Sequence, residues 1–427
     1  MRLLIGTAIL GCALWGQSAM PRDPTREGLE VNEPLRVSES LYVALGFGNT
    51  ILARTSMGNV IIDTSMPPHA ARHKKMLDEV APGAVKYVIF THGHGDHTSG
   101  MGLWKQAGTR VIAQRNHLEF RHYQARLAGF FRQRNAAQFG QIVAANSNAW
   151  RPETAGNYPA RIEADVLFDD RYEFELGGVK FELYHTPGET EDHLTVRIPA
   201  WNAVLPGDNF YGSFPNLYTL RGTKPRWALD YVQSLDRIIG WEPEMLIPSH
   251  GRPVQGKGEI RKALEKYRDA ILHVHDATVA GMNAGKDVFT LMREVRLPPH
   301  LDVGEGYGTV AWSVRGIYEG YVGWFDGNAA SMFEVPPRGI YPELTQLAGG
   351  ADTIAARARE IAGEGRLVEA LHMTDVALAG SAGHREALRV RVEVLERLLK
   401  ESKNSNERGW LNHALVGARA GLKAAGE

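Results

Sequence analysis

The sequence predicts an α/β domain followed by an all-α domain. Residues 41–62 contain β-branched and aromatic residues separated by Gly-Asn turns, a pattern typical of short strands. A helix pattern with Pro67 in its first turn follows, and after it comes the apolar run "VKYVIF" at 85–90. Because this run has no polar alternation, it predicts a strand covered on both faces. Strand, helix and buried strand in this order favour an α/β fold.

Size and charge limit the classes of protein to consider. A chain of 427 residues is too long for one ordinary core, so we expect two folded parts. The formal net charge of -1 gives no electrostatic reason to expect nucleic acid as a partner. The single cysteine is Cys12, so the rest of the chain has no thiol for disulfides, zinc ligation or nucleophilic catalysis.

Residues 1–20 predict a secretory signal peptide. The segment "MRLLIGTAILGCALWGQSAM" has a positive charge at Arg2, an apolar run over 3–16 and small residues at its end. The run is shorter than the roughly 20 residues that span a bilayer. We therefore expect an exported protein, periplasmic or secreted, with no transmembrane segment. The "ILGC" sequence around Cys12 loosely resembles a lipoprotein box, so lipid anchoring is an alternative.

The middle of the chain continues the α/β pattern with one interruption. A helix over 98–107 and a strand at "RVIA" (110–113) are predicted, and the "GG" in "RYEFELGGVKFELYHTPG" predicts a hairpin. Residues 116–149 predict a helical insertion that contains Phe130 and Phe131. Two interpretations stay open: the insertion overhangs a site, or it is a surface helix pair whose aromatic side chains face the core.

The C-terminal part predicts helices only. The stretch from Trp312 to Phe325 places its aromatic residues on one side of a helix, and a break at 335–343 precedes a helix-turn-helix array that ends near 423. Apolar stripes at 367–378 and 388–399 are expected to be packing seams. We place the α/β domain at 33–258 and the all-α domain at 259–427.

The segment "THGHGDHTSG" at 91–100 predicts a metal site. His92, His94, Asp96 and His97 would be costly to bury in an ordinary helix or strand, because each ring needs a partner and the carboxylate needs a counterion. On a glycine-bearing loop after a buried strand, the four side chains can point to one centre. Imidazole and carboxylate ligands suit zinc, and two divalent ions would satisfy all four.

Three further candidate ligands follow strand-like runs at distant positions. They are Glu189 in "YHTPGETEDH", Asp208 in "AVLPGDNF" and His250 in "EMLIPSHG". Sites in α/β proteins form at loops that join the secondary-structure elements, so we expect these residues to meet the histidine cluster. Neighbouring Glu191, Asp192 and His193 are expected to support the ligands, as is Asp63 at the end of "NVIID".

The motifs "HGHGDH", "TPGET", "PGDNF" and "IPSHG", in this order, resemble the metallo-β-lactamase fold over residues 35–255. That resemblance implies an αββα sandwich of two mixed sheets with a dinuclear metal site. "GDNFYGSFPNLYTLRGTKPRWALDYVQSLDRI", "SHGRPVQGK" and "YGTVAWSVRGIYEGYVGWFDGN" resemble the alkylsulfatase branch. In that branch the hydrolase is followed by a helical dimerisation domain, which implies a homodimer. The sterol-carrier-like C-terminal domain of long-chain alkylsulfatases is expected to be lacking here.

The resemblance also implies a role for each site residue. It assigns His92, His94 and Glu189 to one zinc ion, Asp96, His97 and His250 to a second, and Asp208 to a bridge between them, which makes two zinc ions per chain. The glutamate at 189 agrees with the alkylsulfatase branch, whereas Asp208 departs from it, since that branch often has glutamate at the bridge. The resemblance implies that Asp96, Asp208 and Arg221 are catalytic and that Asn216 and Arg221 bind the sulfate group.

An arginine fork suits a tetrahedral oxyanion, although a structural salt bridge of Arg221 is an equally good explanation from the sequence alone. The predicted function is hydrolysis of alkyl sulfate esters to an alcohol and sulfate by a metal-activated water. The substrate would be a small anionic ester with an apolar tail, for which the insertion around Phe130 could form an apolar wall. One alternative is a lactonase, β-lactamase-like or phosphoesterase activity on the same metals, and another is a helical-repeat interaction protein with an inactive hydrolase domain.

Overall fold

A computed structural model describes residues 23–146 and 163–426. The predicted signal peptide with Cys12 lies outside the described residues, so export and lipid attachment stay predictions. Positions 147–149 of the predicted insertion also lie outside them. Within the described ranges, no helix combines the length and the apolar character needed to cross a membrane.

Two mixed sheets form the centre of the α/β part. The first sheet contains, in spatial order, β1 (Leu35–Arg36), β2 (Leu41–Ala44), β3 (Thr50–Thr55), β4 (Gly58–Ile62), β5 (Val85–Ile89), β6 (Arg110–Gln114) and β7 (Val166–Phe168). The second contains, in chain order, β8 (Arg171–Leu176), β9 (Val179–His185), β10 (Leu194–Ile198), β11 (Ala203–Leu205), β12 (Met245–Leu246) and β13 (Val254–Gln255). Strands β4 to β7 are parallel, as are β11 and β12, and the other pairs are antiparallel.

Helices cover the outer face of each sheet. The helices of this part are α1 (Pro67–Val80), α2 (Gly95–Thr98), α3 (His117–Arg126), α4 (Ala128–Asn146) and α5 (Ala228–Gly240). Met76 and Leu77 of α1 pack with Val88 on the first sheet, and the apolar face of α5 packs with Val204 and Leu246 of the second. The two inner faces share one core cluster. This is the expected αββα sandwich.

The remaining chain is helical. Its helices are α6 (Lys257–Asn283), α7 (Val288–Glu294), α8 (Val310–Val322), α9 (Tyr341–Leu347), α10 (Ala351–Gly363), α11 (Leu367–Gly380), α12 (Arg385–Glu401) and α13 (Ser405–Ala424). The predicted seams at 367–378 and 388–399 pack between α10, α11, α12 and α13. The division at residue 258 stays a prediction, because α6 starts at Lys257 and shares a core cluster with α5.

Most predicted elements are confirmed, and one is wrong. The strands in 41–62, the helix at Pro67, the buried strand in 85–90 and the hairpin are present; Gly177 and Gly178 have φ values of 58° and 80° in its turn. The helix predicted over 98–107 is wrong: α2 ends at Thr98, and a single 3₁₀ turn follows at Met101–Leu103. The polar spacing in "TSGMGLWKQAG" resembles a helix, but two of its glycines weaken helix formation.

Phe181 on β9 tests the contact between the sheets. Its side chain is fully buried in the shared core and stacks on Phe174 with 4.9 Å between ring centroids. Replacement by alanine leaves a cavity that the sandwich cannot close, so Phe181→Ala should lower the free energy of unfolding by about 3–5 kcal/mol. Chemical denaturation measures this change. Lys180→Ala, one residue away and half exposed, should leave the denaturation midpoint nearly unchanged, and equal losses in both variants would contradict the assigned core.

Candidate metal centre and anion site

The histidine-rich loop lies where β5 ends. His92 and His97 are fully buried, and His94 precedes the short helix α2, which contains Asp96 and His97. The His92 Nε2 and His94 Nδ1 atoms are 2.8 Å apart, and His97 Nε2 is 3.3 Å from Asp96 Oδ2. The backbone therefore turns all four predicted side chains toward one region.

Asp208 and His250 reach the same region from the second sheet. Asp208 follows β11 in a 3₁₀ turn, and His250 follows β12. The Asp208 Oδ2 atom lies 3.0 Å from His250 Nε2, 3.4 Å from His97 Nε2 and 3.7 Å from His92 Nε2. One carboxylate oxygen thus lies between the two groups of potential metal ligands, which are His92, His94 and Asp208 on one side and Asp96, His97 and His250 on the other.

Glu189 lies at the margin of this cluster. Its Oε1 atom is 3.7 Å from His94 Nδ1 and forms a buried ion pair with Arg226, while Oε2 accepts a 2.8 Å hydrogen bond from the Tyr231 hydroxyl. Burial raises the pKa of Glu189 to about 7, although the Arg226 guanidinium acts in the opposite direction. The structure therefore brings all seven predicted residues together, with Glu189 held by two partners that the sequence did not reveal.

The chemistry of this cluster fits metal ions. Burial lowers the pKa of His92 and of His94 well below the ordinary value, so both rings are neutral and can offer a lone pair. Among the described residues, His97 Nε2 and Asp208 Oδ1 are buried without a hydrogen-bond partner. Carboxylates and ring nitrogens that face one another in a buried space can be satisfied by a cation between them, although the same carboxylates also raise the pKa of His97 and of His250 when no ion is present. These side chains are suited to hold metal.

Asp63 fixes the orientation of His97. Its Oδ2 atom is 2.9 Å from His97 Nδ1 and accepts hydrogen bonds from Thr91 Oγ1 at 2.8 Å and from Ser249 Oγ at 2.7 Å. Its Oδ1 atom accepts a hydrogen bond from the Thr91 backbone amide at 2.8 Å. The Asp63 backbone has φ = 57°, a left-handed conformation that aspartate tolerates better than most residues. The carboxylate leaves His97 Nε2 as the nitrogen that faces the cluster.

The other supporting residues have separate tasks. His193 Nε2 accepts a 3.0 Å hydrogen bond from the Asp208 amide, and burial lowers the pKa of His193 to about 4, which keeps this ring neutral. The Asp192 carboxylate is 2.9 Å from His117 Nδ1, and the Glu191 carboxylate accepts from Lys224 at 2.5 Å. Of these three residues, His193 bonds directly to a residue of the cluster, whereas the supporting role of Asp192 and Glu191 stays a prediction.

Arg221 lies against the metal cluster. Its Nη2 atom is 3.1 Å from His94 Nε2, and burial is the main cause that lowers its pKa from the ordinary arginine value. Within the described ranges no carboxylate forms a salt bridge with Arg221, which disfavours the structural explanation of this residue. Its donors are therefore free to meet an anion at this edge of the cluster.

Asn216 is buried beside the arginine loop. Its backbone amide donates to the Tyr211 hydroxyl at 2.7 Å, and its carbonyl oxygen accepts from Arg226 at 2.8 Å. In the described part of the chain, Asn216 Oδ1 has no hydrogen-bond partner. The backbone of Asn216 is thus fixed while its side-chain amide retains bonding capacity.

A cavity of about 600 Å³ opens beside these groups. Its polar end contains Asp96, Arg221 and Tyr307, and its walls include the apolar residues Phe47, Met66, Pro67 and Phe139. The predicted insertion around Phe130 contributes to this lining, although the Phe130 ring itself is 51% exposed and lies outside it. The same helix, α4, supplies Phe139 instead, and the Phe139 ring packs edge-on to Phe47 at 5.8 Å.

Sequence reasoning missed Arg226 and Tyr307. Arg226 is five residues after Arg221 in "RGTKPR", and nothing in that pattern separates a ligand-facing arginine from one that pairs with Glu189. Tyr307 belongs to the helical part of the chain and reaches the cavity through tertiary packing. In the sequence, only the motif "EGYG" beside an apolar segment after α7 marks that position. This signal is too weak to identify a site residue.

The αββα sandwich and a cluster of histidines and carboxylates at one sheet edge define a metallo-β-lactamase-type protein, and residues 43–250 match the metallo-beta-lactamase superfamily. Residues 289–420 match the alkyl sulfatase dimerisation family. A linear primary-alkylsulfatase of a Pseudomonas species is 31% identical over 376 residues, which cover 83% of this chain and 70% of that protein. The chain therefore belongs to the alkylsulfatase family of the metallo-β-lactamase superfamily, a family of hydrolases.

Other relatives agree with this assignment. The alkyl/aryl-sulfatase BDS1 of Saccharomyces cerevisiae is 25% identical over 90% of this chain and 63% of its own length, and a Pseudomonas (R)-specific secondary-alkylsulfatase is 26% identical over 90% and 61%. The solved structure of the stereoselective inverting sec-alkylsulfatase Pisa1 from Pseudomonas sp. superposes with a TM-score of 0.82 at 22% sequence identity. The matched region covers 92% of this chain and 66% of the Pisa1 chain. That likeness shows the fold, and the chain spans less than two thirds of several relatives.

Asp63→Asn tests the support of the metal cluster. Asparagine has one acceptor oxygen, so it cannot accept from both the Thr91 amide and His97 Nδ1 as the two oxygens of Asp63 do. His97 should therefore lose its fixed orientation. We expect the affinity for zinc to fall roughly 10- to 100-fold, as measured by competition with a chromophoric chelator.

Asp78→Asn on α1 removes a carboxylate of an exposed ion pair with Lys74 and should leave zinc affinity unchanged. Unchanged affinity in Asp63→Asn as well would show that His97 binds no metal. Metal analysis that finds less than one ion per unaltered chain would favour the alternative of an inactive hydrolase domain.

Proposed function

We propose that this protein hydrolyses alkyl sulfate esters to an alcohol and sulfate with two zinc ions. The observation that carries the proposal is the position of Arg221, which lies 3.1 Å from His94 and lines the cavity together with Asp96. The names of the relatives support the sulfate ester as substrate class. A cation pair beside a half-buried arginine suits a substrate that carries negative charge next to the bond that breaks.

The polar end of the cavity would hold the sulfate group. A guanidinium donates two parallel N–H bonds to a tetrahedral oxyanion. The Asn216 side-chain nitrogen would add a neutral donor if it faced the anion, whereas its unpartnered atom is the acceptor Oδ1 and the residue lies outside the cavity lining. Because Asn216 is buried and Arg221 is half-buried, these bonds would be stronger than the same bonds in water. The two residues would thereby orient the ester oxygen toward the histidine cluster.

The apolar end would receive the alkyl tail. Phe47, Phe139 and Met66 form a wall next to the polar end, and burial of apolar tail surface against it contributes about 25 cal/mol per Å². The same wall excludes water from the reacting end. One cavity with both charged and apolar lining residues corresponds to a substrate with an anionic head and an apolar tail, such as an alkyl sulfate.

For the metals, we infer one ion held by His92, His94 and Glu189 and one held by Asp96, His97 and His250, with Asp208 between them. Histidine and carboxylate ligands without any thiolate favour zinc. Bound zinc supplies a nucleophilic water at neutral pH and offsets negative charge on ester oxygens. Asp63 and His193 keep the ligand atoms of His97 and Asp208 in place.

Arg221→Ala separates the sulfatase from a lactonase or a β-lactamase-like enzyme. On a panel of alkyl sulfates of graded length, the variant should lose roughly 100-fold or more of kcat/KM, because charge-assisted bonds to the sulfate disappear. Activity on a lactam or lactone should change little. The measurement is steady-state kinetics on zinc-replete protein.

Arg54→Ala provides the matched control, because Arg54 is on β3 and donates to the Glu39 carbonyl far from the cavity. It should keep the activity of the unaltered chain. Full sulfatase activity in Arg221→Ala, or hydrolysis of the lactone but of no sulfate, would overturn the proposed function.

We also propose a homodimer through an exposed apolar strip at 321–347. The strip begins at the end of α8 and includes Trp324, Phe333 and Leu347, which are 72%, 66% and 84% exposed. So much exposed aromatic and aliphatic surface in one segment is typical of an interface. It lies within the part that matches the dimerisation family.

The variant Trp324→Asp/Phe333→Asp should convert the dimer to a monomer, since it introduces two charges into the proposed interface. Sedimentation velocity at micromolar concentration measures the change. Met57→Asp, at a 65% exposed position on the β3–β4 turn, is the control and should stay dimeric. A monomeric unaltered chain would refute the proposal.

Export of the mature chain is the remaining part of the proposed function. It is supported by the charge at Arg2 and the apolar run over 3–16. An exported hydrolase would meet its ester outside the cytoplasm, where the lack of cysteine beyond Cys12 avoids unwanted disulfides.

A further inference from the structure

The last helix of the chain packs directly on the helix that covers the cavity. A Cβ atom at Gly409 of α13 would lie 1.9 Å from the Gln138 carbonyl oxygen of α4, so only glycine allows this approach. On α4, Asn135 and Phe139 line the cavity close to this contact. The C-terminal helix therefore supports the roof of the cavity from behind.

The side chain of Gln138 joins three segments of the chain. It is buried, its Nε2 atom donates to Asn406 Oδ1 at 2.9 Å and to Thr219 Oγ1 at 3.2 Å, and its Oε1 atom accepts from Trp410 Nε1 at 3.1 Å. Thr219 is two residues before Arg221. One amide thus connects α4, α13 and the loop that carries the anion-binding arginine.

Arg134, one helical turn before Gln138, holds the same loop. Its Nε atom donates to the Arg221 carbonyl oxygen at 2.7 Å, and its Nη2 atom donates to the Leu220 carbonyl oxygen. Its guanidinium also lies over the Trp410 ring, 5.0 Å from the ring centroid. The backbone of the arginine loop is therefore bonded to α4, and α4 is in turn fixed by α13.

The start of α13 holds the other polar wall of the cavity. Asn406 Nδ2 donates to the Tyr307 carbonyl oxygen at 3.0 Å, and Asn404 Nδ2 donates to the carbonyl oxygens of Glu305 at 2.8 Å and Tyr307 at 2.9 Å. The Ser405 amide donates to the Gly306 carbonyl oxygen at 3.0 Å. Three consecutive residues of α13 and its cap thus fix the loop that presents Tyr307 to the cavity.

We propose that Gln138 and Asn406 are positioning residues that set the distance between Arg221 and Tyr307 at the anion-binding end of the cavity. The Gln138–Asn406 hydrogen bond joins the supports of the two loops directly. This inference rests on the proposed function in one respect, namely that Arg221 binds the sulfate group. Its structural part, that α13 orders the two loops, is independent of the substrate.

Gln138→Ala and Asn406→Ala test the inference in the full, zinc-replete chain. Each variant removes the link but no group that lines the cavity, so each should raise KM for a medium-length alkyl sulfate roughly tenfold with kcat changed much less. Zinc content should stay that of the unaltered chain. Asn406→Asp keeps the oxygen that accepts from Gln138 but loses the amide that donates to the Tyr307 carbonyl oxygen, so KM should stay raised.

Combining Gln138→Ala with Arg221→Ala tests whether Gln138 acts on the substrate through the arginine loop. If Gln138 acts through the arginine loop, Gln138→Ala in the Arg221→Ala background should change kcat/KM by less than about twofold, since coupled residues are not additive. Full additivity would overturn the proposal. A role in stability alone would lower the melting temperature while KM stays unchanged, which would overturn it too.

Asn59→Ala is the matched control. Asn59 is a buried amide that donates to the Ala81 carbonyl oxygen at 2.8 Å, at the opposite end of β4 from Asp63. It should lower the melting temperature as Gln138→Ala does and leave KM unchanged. A KM increase in Asn59→Ala equal to that in Gln138→Ala would contradict the proposal.

Hydrogen exchange measured by mass spectrometry separates this inference from the proposed function. Gln138→Ala and Asn406→Ala should speed amide exchange in peptides that contain 216–222 and 305–308, and leave 91–97 protected as in the unaltered chain. This result is expected whether or not the protein cleaves a sulfate ester. Unchanged exchange in both loops would refute the positioning role, whereas a chain inactive on every sulfate would refute only the proposed function.

Discussion

The carboxylate of Asp208 is the contact on which the rest of the site depends. One of its oxygens lies within 3.7 Å of ring nitrogens from His92, His97 and His250, which come from both sheets. An unpaired carboxylate in this buried space would cost several kcal/mol, so the surrounding structure has to deliver positive charge or metal to it. The two sheets consequently end where their loops can converge on this one atom.

The sandwich satisfies that requirement with short loops after buried strands. The last residues of β5, β11 and β12 are buried and apolar, so packing fixes the ends of these strands. The polar residues that follow are therefore held in defined positions. Asp63 then bonds to Thr91, His97 and Ser249, and so connects the ends of β4, β5 and β12. The rigidity of the metal ligands is a property of the strands behind them.

What the sequence could predict follows from how local each signal is. The cluster at 92–97 is contiguous, and the αββα pattern is carried by strand-length apolar runs, so both were accessible from the sequence and the fold is confirmed. The helix predicted over 98–107 is wrong because Gly100 and Gly102 disfavour a continuous helix there. Phe139, rather than Phe130, lines the cavity because the rotation of α4 is set by its contact with α13, which no local pattern records.

The two ends of the cavity also differ in how local their sequence signals are. The metal end is built by residues that follow buried strands, whereas the anion end is held by hydrogen bonds such as that between Gln138 and Asn406, which are 268 positions apart. Such bonds join amides that any polar surface also contains, so they carry no sequence signature. A chain can therefore keep every metal ligand and still differ in the anion it accepts, because the geometry around Arg221 depends on how the helical part packs. If Arg221 binds the substrate anion as proposed, substrate choice depends on tertiary packing between the two parts, while the proposed metal ligands all come from the sandwich.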